Sequence, residues 1–432
     1  MLSAMDENNA NHFVTPDQLR IGLYVHLDLS WMDHPFKFNN FRISNKAEIA
    51  QLRALGLKRL RYDPLRSDEH RPETEAADQA RDVAPAPDIV DDAAPPEPHH
   101  TTDRERRLQA LHLAMHECER KFIETTREAK RIERDLRASA TRAAHDAQVL
   151  VDDILDSLMT ESEIVLHAMQ PRPGAPEAHL HALNVTVLAL ILAKGLSILT
   201  DDARHLGLGA LFHDAGKTRI PDRVLRKTDP LTSAEAALVR QHVEFGARIA
   251  AEIGLHEAVV RIIEQHHELC DGSGYPAHLK EAQIDRLARI VSVVNAYENL
   301  CNPPNVQDAM TPYEALAHMF ARQRKRYDAE ILMLFIKTLG IYPPGSLVEL
   351  SDGGFGTVIS VNPNKPLRPY VLMHAPDVPR DTPLLTNLGD VAGLSITRCL
   401  RASQLPPDVL RYLAPASRIC YFFRPETPEC GT

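Results

Sequence analysis

The chain has 432 residues, 44% of them hydrophobic, enough for a substantial core and for two or three domains. Its formal charge of −10 is concentrated: between Asp68 and Asp103 eleven acidic residues stand against two arginines, so the remainder is near neutral and no nucleic-acid surface is expected. Six scattered cysteines argue against a disulfide framework, no signal peptide opens the chain, and the most apolar run, Val185–Leu192, is too short to cross a bilayer; these features predict a cytoplasmic protein without a membrane partner.

Residues 1–66 read as a small β-rich α+β module, with strand alternation at 21–29 and near 36–44, a helix ending at Gly56 and a return strand at KRLRYDP. Residues 67–103, rich in Pro, Ala and acid, read as a disordered linker. From 104 to 150 the pattern is helical. Leu108, Leu111, Met115, Cys118, Phe122, Thr125, Ala129, Ile132, Leu136, Ser139 and Ala143 recur at steps of three and four. That seam fits a homodimeric coiled coil through 104–145, and equally a helix packed on its own catalytic domain. Residues 151–345 form the expected all-α catalytic domain, and 346–432 a small β-containing appendage with a Gly-rich hairpin and a brief helix near 405–415. The fold class is thus mainly α.

The chemistry lies in the fourth segment, where His181, His213-Asp214 with Lys217, His242 and His266-His267 fall within about a hundred residues. Imidazoles and carboxylates suit hard to borderline first-row cations, and this many exceed what one ion needs. In ARHLGLGALFHDAGKTRIPDRVL, apolar residues at helical intervals lead to His213 and Asp214 before breaks at Gly216 and Pro221. A carboxylate in the last turn of a buried helix calls for a compensating cation. Lys217 sits where its ammonium reaches the same spot to bind an anionic oxygen; alternatively, the His and Lys simply complement a helix C-terminus.

HDAGK followed by HHELCDGSGYP, with HALNV at 181–185, IPDRVLRKTDPLTSAE at 220–235 and HVEFG at 242–246, resembles the HD-GYP family of metal-dependent phosphohydrolases. The N-terminal module resembles a domain of unknown function common ahead of such domains. The resemblance implies hydrolysis of cyclic di-GMP to pGpG, and further to GMP in some members. It implies two or three divalent ions, Fe or Mn, held by His181, His213, Asp214, His242, His266 and His267, with Asp214 bridging two of them and acting in catalysis alongside Lys217. Glu177, one turn before His181, fits a third-metal ligand, or equally a solvated residue at a helix start. The loop Asp271, Gly272, Gly274, Tyr275 and Pro276 reads as a substrate surface with Tyr275 facing a purine, as a contact for diguanylate cyclase domains, or as a plain turn.

Three departures bear on activity. Asn295 stands where the family has a metal-binding aspartate, with Glu298 one turn on as a candidate substitute; Leu269 replaces a common arginine; Pro304 and Gln307 fall where many members place phosphate-facing Arg and Lys. A degenerate domain that binds nucleotide or a cyclase without hydrolysis is therefore the first alternative. A hydrolase for another phosphate ester is the second.

Overall fold

In a computed structural model the described residues are 12–27, 40–43, 46–55, 57, 59–64, 67, 99–160, 164–169, 177–227, 229–362, 365–378, 384–391, 393–415 and 418–425. Most of the acidic stretch, 68–98, lies outside them, as does much of the strand expected near 36–44. The chain divides into two compact units, Met1–Asp103 and Arg104–Thr432.

The first unit is an antiparallel sheet with one helix. β1 (His12–Val14), β2 (Tyr24–His26), β3 (Asn40–Arg42) and β4 (Leu60–Asp63) pair in the order β1-β4-β2-β3, and α1 (Lys46–Ala54) intervenes before β4. Leu19, Leu23, Val25, Leu27, Ile43, Leu52 and Leu60 bury one face. This is the α+β module that the alternation predicts, with β1 added.

The second unit begins within α2 (His99–Ala138), which is followed by α3 (Ala140–Thr160). Arg131 and Asp146 pair at 3.5 Å although they lie fifteen positions apart, about 22 Å along a straight helix, so the chain bends sharply near Ser139. β5 (Ile164–Met169) precedes the helices that carry the site: α4 (Glu177–Gly195), α5 (Thr200–Phe212), the short α6 (Asp222–Leu225), α7 (Ser233–Arg240), α8 (His242–Glu252), α9 (Glu257–Gln265) and α10 (Arg286–Cys301). α11 (Pro312–Arg322) and α12 (Ala329–Leu339) complete the bundle.

Local chemistry sets these boundaries. Thr232 and Glu235 form a reciprocal capping box on α7, as Thr311 and Glu314 do on α11, and Gly340 at φ 75° ends α12. α4 is apolar on every side and buried from Val185 to Ala193, so it forms the axis of the bundle, packed by α3, α5, α10 and α12.

The C-terminal region is the expected β-rich element. β6 (Leu347–Leu350), β7 (Phe355–Ser360), β8 (Tyr370–Met373), β9 (Leu384–Asn387) and β10 (Ile396–Leu400) form antiparallel pairs, α13 (Pro407–Leu413) follows, and β11 (Cys420–Pro425) ends the described chain. Its attachment was not foreseen. β11 runs back along β5 in an antiparallel register from Met169↔Cys420 to Ile164↔Pro425, so the sheet is built into the helical unit.

The helical seam also finds its partner within the chain. Cys118, Phe122, Ala129, Ile132 and Ala143 are buried in the main core; Phe122 packs edge-on against Phe422 at 6.0 Å and the Cys118 thiol donates to the Phe423 carbonyl. At Cys118, Phe122, Ala129, Ile132 and Ala143 the seam is covered by the chain itself, which is the reading of a helix packed on its own domain, while Ser139 is exposed. The side chains of Leu108 and Leu111 lie outside the described residues.

Candidate metal centre

Five histidines and one aspartate converge where α4, α5, α8 and α9 meet. His213 caps the C-terminus of α5, and Asp214 opens a 3-10 turn, Ala215–Arg219. That turn lies hard against α8: a Cβ on Gly216 would stand 1.9 Å from the His242 carbonyl oxygen, so only glycine brings Asp214 this close to His242. His266 caps α9, and His267 follows.

Ligand atoms fall into two groups that share Asp214. One contains Asp214, His242, His266 and His267; the other contains His181, His213 and Asp214. Asp214 Oδ1 lies 3.3 Å from His242 Nε2, while Oδ2 lies 3.5 Å from both His181 Nε2 and His213 Nε2. Lys217 donates to Oδ2 at 2.6 Å, which places its ammonium where the sequence puts it.

Three rings are oriented by helix carbonyls just before them in the chain. His213, His242 and His266 donate Nδ1–H to the carbonyls of Ala210, Val239 and Ile263 at 2.7, 2.7 and 2.8 Å. Each carbonyl belongs to the residue three positions earlier. This fixes the tautomer and leaves every Nε2 as a lone pair turned into the site. His181 is held differently: its Nδ1 bonds to the Glu298 carboxylate on α10.

The electrostatics agree with metal binding. Burial pulls the His213 imidazole down to about 4, and it lowers His242 and holds His266 and His267 well below their ordinary value. These four are neutral near pH 7, the form in which an imidazole can bind a metal. Burial opposes the charge on Asp214, yet Lys217 and the surrounding imidazoles keep its carboxyl well below the usual range. For His181, burial acts against protonation, but Glu298 and Asp214 outweigh it and the pKa is raised.

A cation fits these residues. His242 Nε2 and His266 Nε2 stand 3.3 Å apart, each with its proton on the opposite nitrogen, so two lone pairs face one another. Asp214 Oδ1 beside them is buried without a hydrogen-bond donor, an arrangement that costs about 1–3 kcal/mol if uncompensated. At the other pair, His181 Nε2 and His213 Nε2 at 3.0 Å, a proton or a metal must lie between them.

The loop after His267 is shaped by the same segment. Buried Glu268 accepts from the Ala277 and Leu279 N–H groups at 2.6 and 2.9 Å, and Asp271 accepts from the Ser273 N–H and hydroxyl. A Cβ on Gly274 would lie 2.4 Å from the Leu269 nitrogen, so this position must be glycine. Gly272 adopts φ 80°, and the Tyr275–Pro276 bond is cis. Tyr275 stacks on His267 at 4.5 Å and 20°, and the Arg240 guanidinium lies over the same ring at 5.1 Å. One face of the Tyr275 ring is thus laid on His267.

Asn295 is buried on α10, and its side-chain oxygen accepts from Asn299 at 2.7 Å. The Glu298 carboxylate bonds to His181 Nδ1. Pro304 and Gln307 are exposed, and Leu269 packs against the core. Glu177 opens α4; its side chain lies outside the described residues. Sequence reasoning missed the work of Glu298, Glu268 and Arg240. Only Glu268 had a signal, its place in HHE.

Such an arrangement, a helical bundle that presents two His/Asp groups joined by one aspartate, defines an HD-type domain. Comparison with known proteins agrees. The HD domain family matches residues 161–331, and a domain of unknown function matches 13–147. A cyclic di-GMP phosphodiesterase of Pseudomonas aeruginosa is 32% identical over 357 residues, 82% of this chain and 83% of that protein. The cyclic di-GMP phosphodiesterase response regulator RpfG of Xanthomonas campestris is 31% identical over 37% of this chain and 43% of its own length. Among solved structures, an HDG"Y"P protein of Bdellovibrio bacteriovorus shares 18% identity over 76% of this chain and 98% of that one, with a TM-score of 0.39. The chain belongs to the HD-GYP family.

Proposed function

We propose that this protein hydrolyses cyclic di-GMP to pGpG, with GMP as the further product to assay, through a divalent-metal centre built on Asp214. The observation that carries the reading is the sharing of Asp214 between the His181–His213 and the His242–His266–His267 groups. Two such ions, when bound, make water nucleophilic at neutral pH and draw charge from a phosphodiester. Imidazole and carboxylate donors favour Fe or Mn.

Lys217 spends one N–H on Asp214, and its half-exposed side chain offers the others to a phosphoryl oxygen as negative charge develops. The relative from Pseudomonas, matched along most of both chains, supports the substrate. The exposed residues Asp271, Ser273 and Pro276 suit the loop to a cyclase contact as well. Among the described residues no helix is long and apolar enough to cross a membrane, which accords with a cytoplasmic site of action.

One observation favours the alternative of a binding module: Asn295 offers a neutral oxygen already engaged by Asn299. Protein purified without air or chelator, loaded with Fe2+ or Mn2+ and incubated with cyclic di-GMP, tests both. Release of pGpG is expected, and Asn295→Asp should raise metal occupancy and turnover by about 10-fold, the scale on which metal surroundings act. Loaded protein that binds the nucleotide yet leaves it intact overturns the enzyme reading.

A further inference from the structure

α4 and α10 direct two buried asparagine amides at one carboxylate. Asn302 Nδ2 donates to Glu298 Oε1 and to the Ile419 carbonyl, both at 2.9 Å. Asn184 Nδ2 donates to the same two oxygens at 3.4 and 2.9 Å. Their own oxygens face the chain end: Asn302 Oδ1 accepts from the Ile419 N–H and Asn184 Oδ1 from the Tyr421 N–H, each at 2.9 Å. Both N–H bonds and the oxygen of each amide are therefore used. Because the backbone N–H groups of Ile419 and Tyr421 fix the two amide oxygens, the NH2 groups must face Glu298.

We infer that Ile419–Tyr421, acting through Asn184 and Asn302, is a positioning element of the metal centre: it locks the Glu298 carboxylate, which sets the ring of His181. With Oε1 held by two amides, Oε2 is left to His181 Nδ1. Without them the carboxylate is free to turn, and neither the tautomer nor the rotation of His181 is specified. β11 is itself backed by α2, through Phe122 on Phe422 and Cys118 on Phe423. The stretch of α2 around Cys118 and Phe122, inside the segment matched at 13–147, therefore backs this support.

The inference rests on the metal reading, and the experiment separates the two. Full-length Asn302→Ala and Asn302→Asp are titrated with Mn2+ beside the parent and Tyr421→Phe. Asn302→Asp keeps the oxygen that accepts from Ile419 and loses both donors, which guards against a folding failure. Tyr421→Phe breaks the 2.7 Å Tyr297–Tyr421 hydroxyl bond on the same strand and leaves both amides untouched. Both Asn302 variants should bind Mn2+ about 10-fold more weakly and lose kcat more than KM. Tyr421→Phe should melt earlier with unchanged Mn2+ affinity. Parent affinity in both Asn302 variants, or an equal loss in Tyr421→Phe, overturns the positioning role alone. A parent that binds no Mn2+ overturns the metal reading and this inference with it.

Discussion

The two halves of the centre are held by different means. In the half formed by Asp214, His242, His266 and His267, the oriented rings are tied to carbonyls three residues back in the chain, on α7 for His242 and on α9 for His266. In the other, His181 depends on Glu298, 117 positions away, and beyond it on Ile419. The first half is assembled by the ends of α7, α8 and α9 and by the turn after α5 that carries Asp214. The second exists only when α4, α10 and the chain end have met. A ligand set that looks uniform in composition is thus held locally at His213, His242 and His266 and by tertiary contacts at His181.

The strongest way to break this division is to remove what the halves share. His213→Ala with Asp214→Ala should eliminate most bound Fe or Mn and reduce hydrolysis by several orders of magnitude, while the far-ultraviolet CD signal persists because apolar helices carry the fold. Metal analysis of the purified variant decides it: a metal content equal to the parent's refutes the ligand assignment.

Glu298→Gln separates the halves. It should weaken one class of Mn2+ sites about 10- to 100-fold, the effect of losing a partner of a ligating histidine, and leave the other class unchanged. Competition titrations that show both classes falling together would mean that the two halves are not independent.

A smaller effect is expected from acid. In metal-free protein, His213 at about 4 and the lowered His242, His266 and His267 take up protons more readily unfolded than folded. Stability from these groups is present above the ordinary histidine value near 6.5 and is lost as pH falls toward 4. Asp214, lowered well below the usual carboxylate value, acts in the same sense at still lower pH. His181, raised, contributes below 6.5 and loses that contribution as pH climbs through its folded value. Thermal melts between pH 7.5 and 4.5 should decline, and saturating Mn2+ should delay the decline. A flat profile would show that the rings are not buried as neutral groups.

This contrast also explains what the sequence revealed. His213 stands at a helix end marked by apolar periodicity and by the breaks at Gly216 and Pro221, so this locally held part of the centre was legible residue by residue. Asn184 and Glu298 show no such pattern, because a hydrogen bond between residues over a hundred positions apart leaves no periodic trace, and the tie of Asn302 to Ile419 is as distant. The seam of α2 was legible as a buried stripe, but hydrophobic spacing states only that something covers it. Phe422 and Phe423 turned out to be the cover.

The pairing of Met169 with Cys420 spans 251 positions. As the chain leaves the ribosome, β5 emerges long before its partner, and its open edge waits through the synthesis of every helix of the site. Bare strand edges invite pairing with other chains, and contacts this distant in sequence close slowly. Production in cells should therefore be most sensitive to conditions that prolong translation between β5 and β11. A chain cut short before residue 420 loses more than its tail: it leaves an adhesive seam beside a half-built centre.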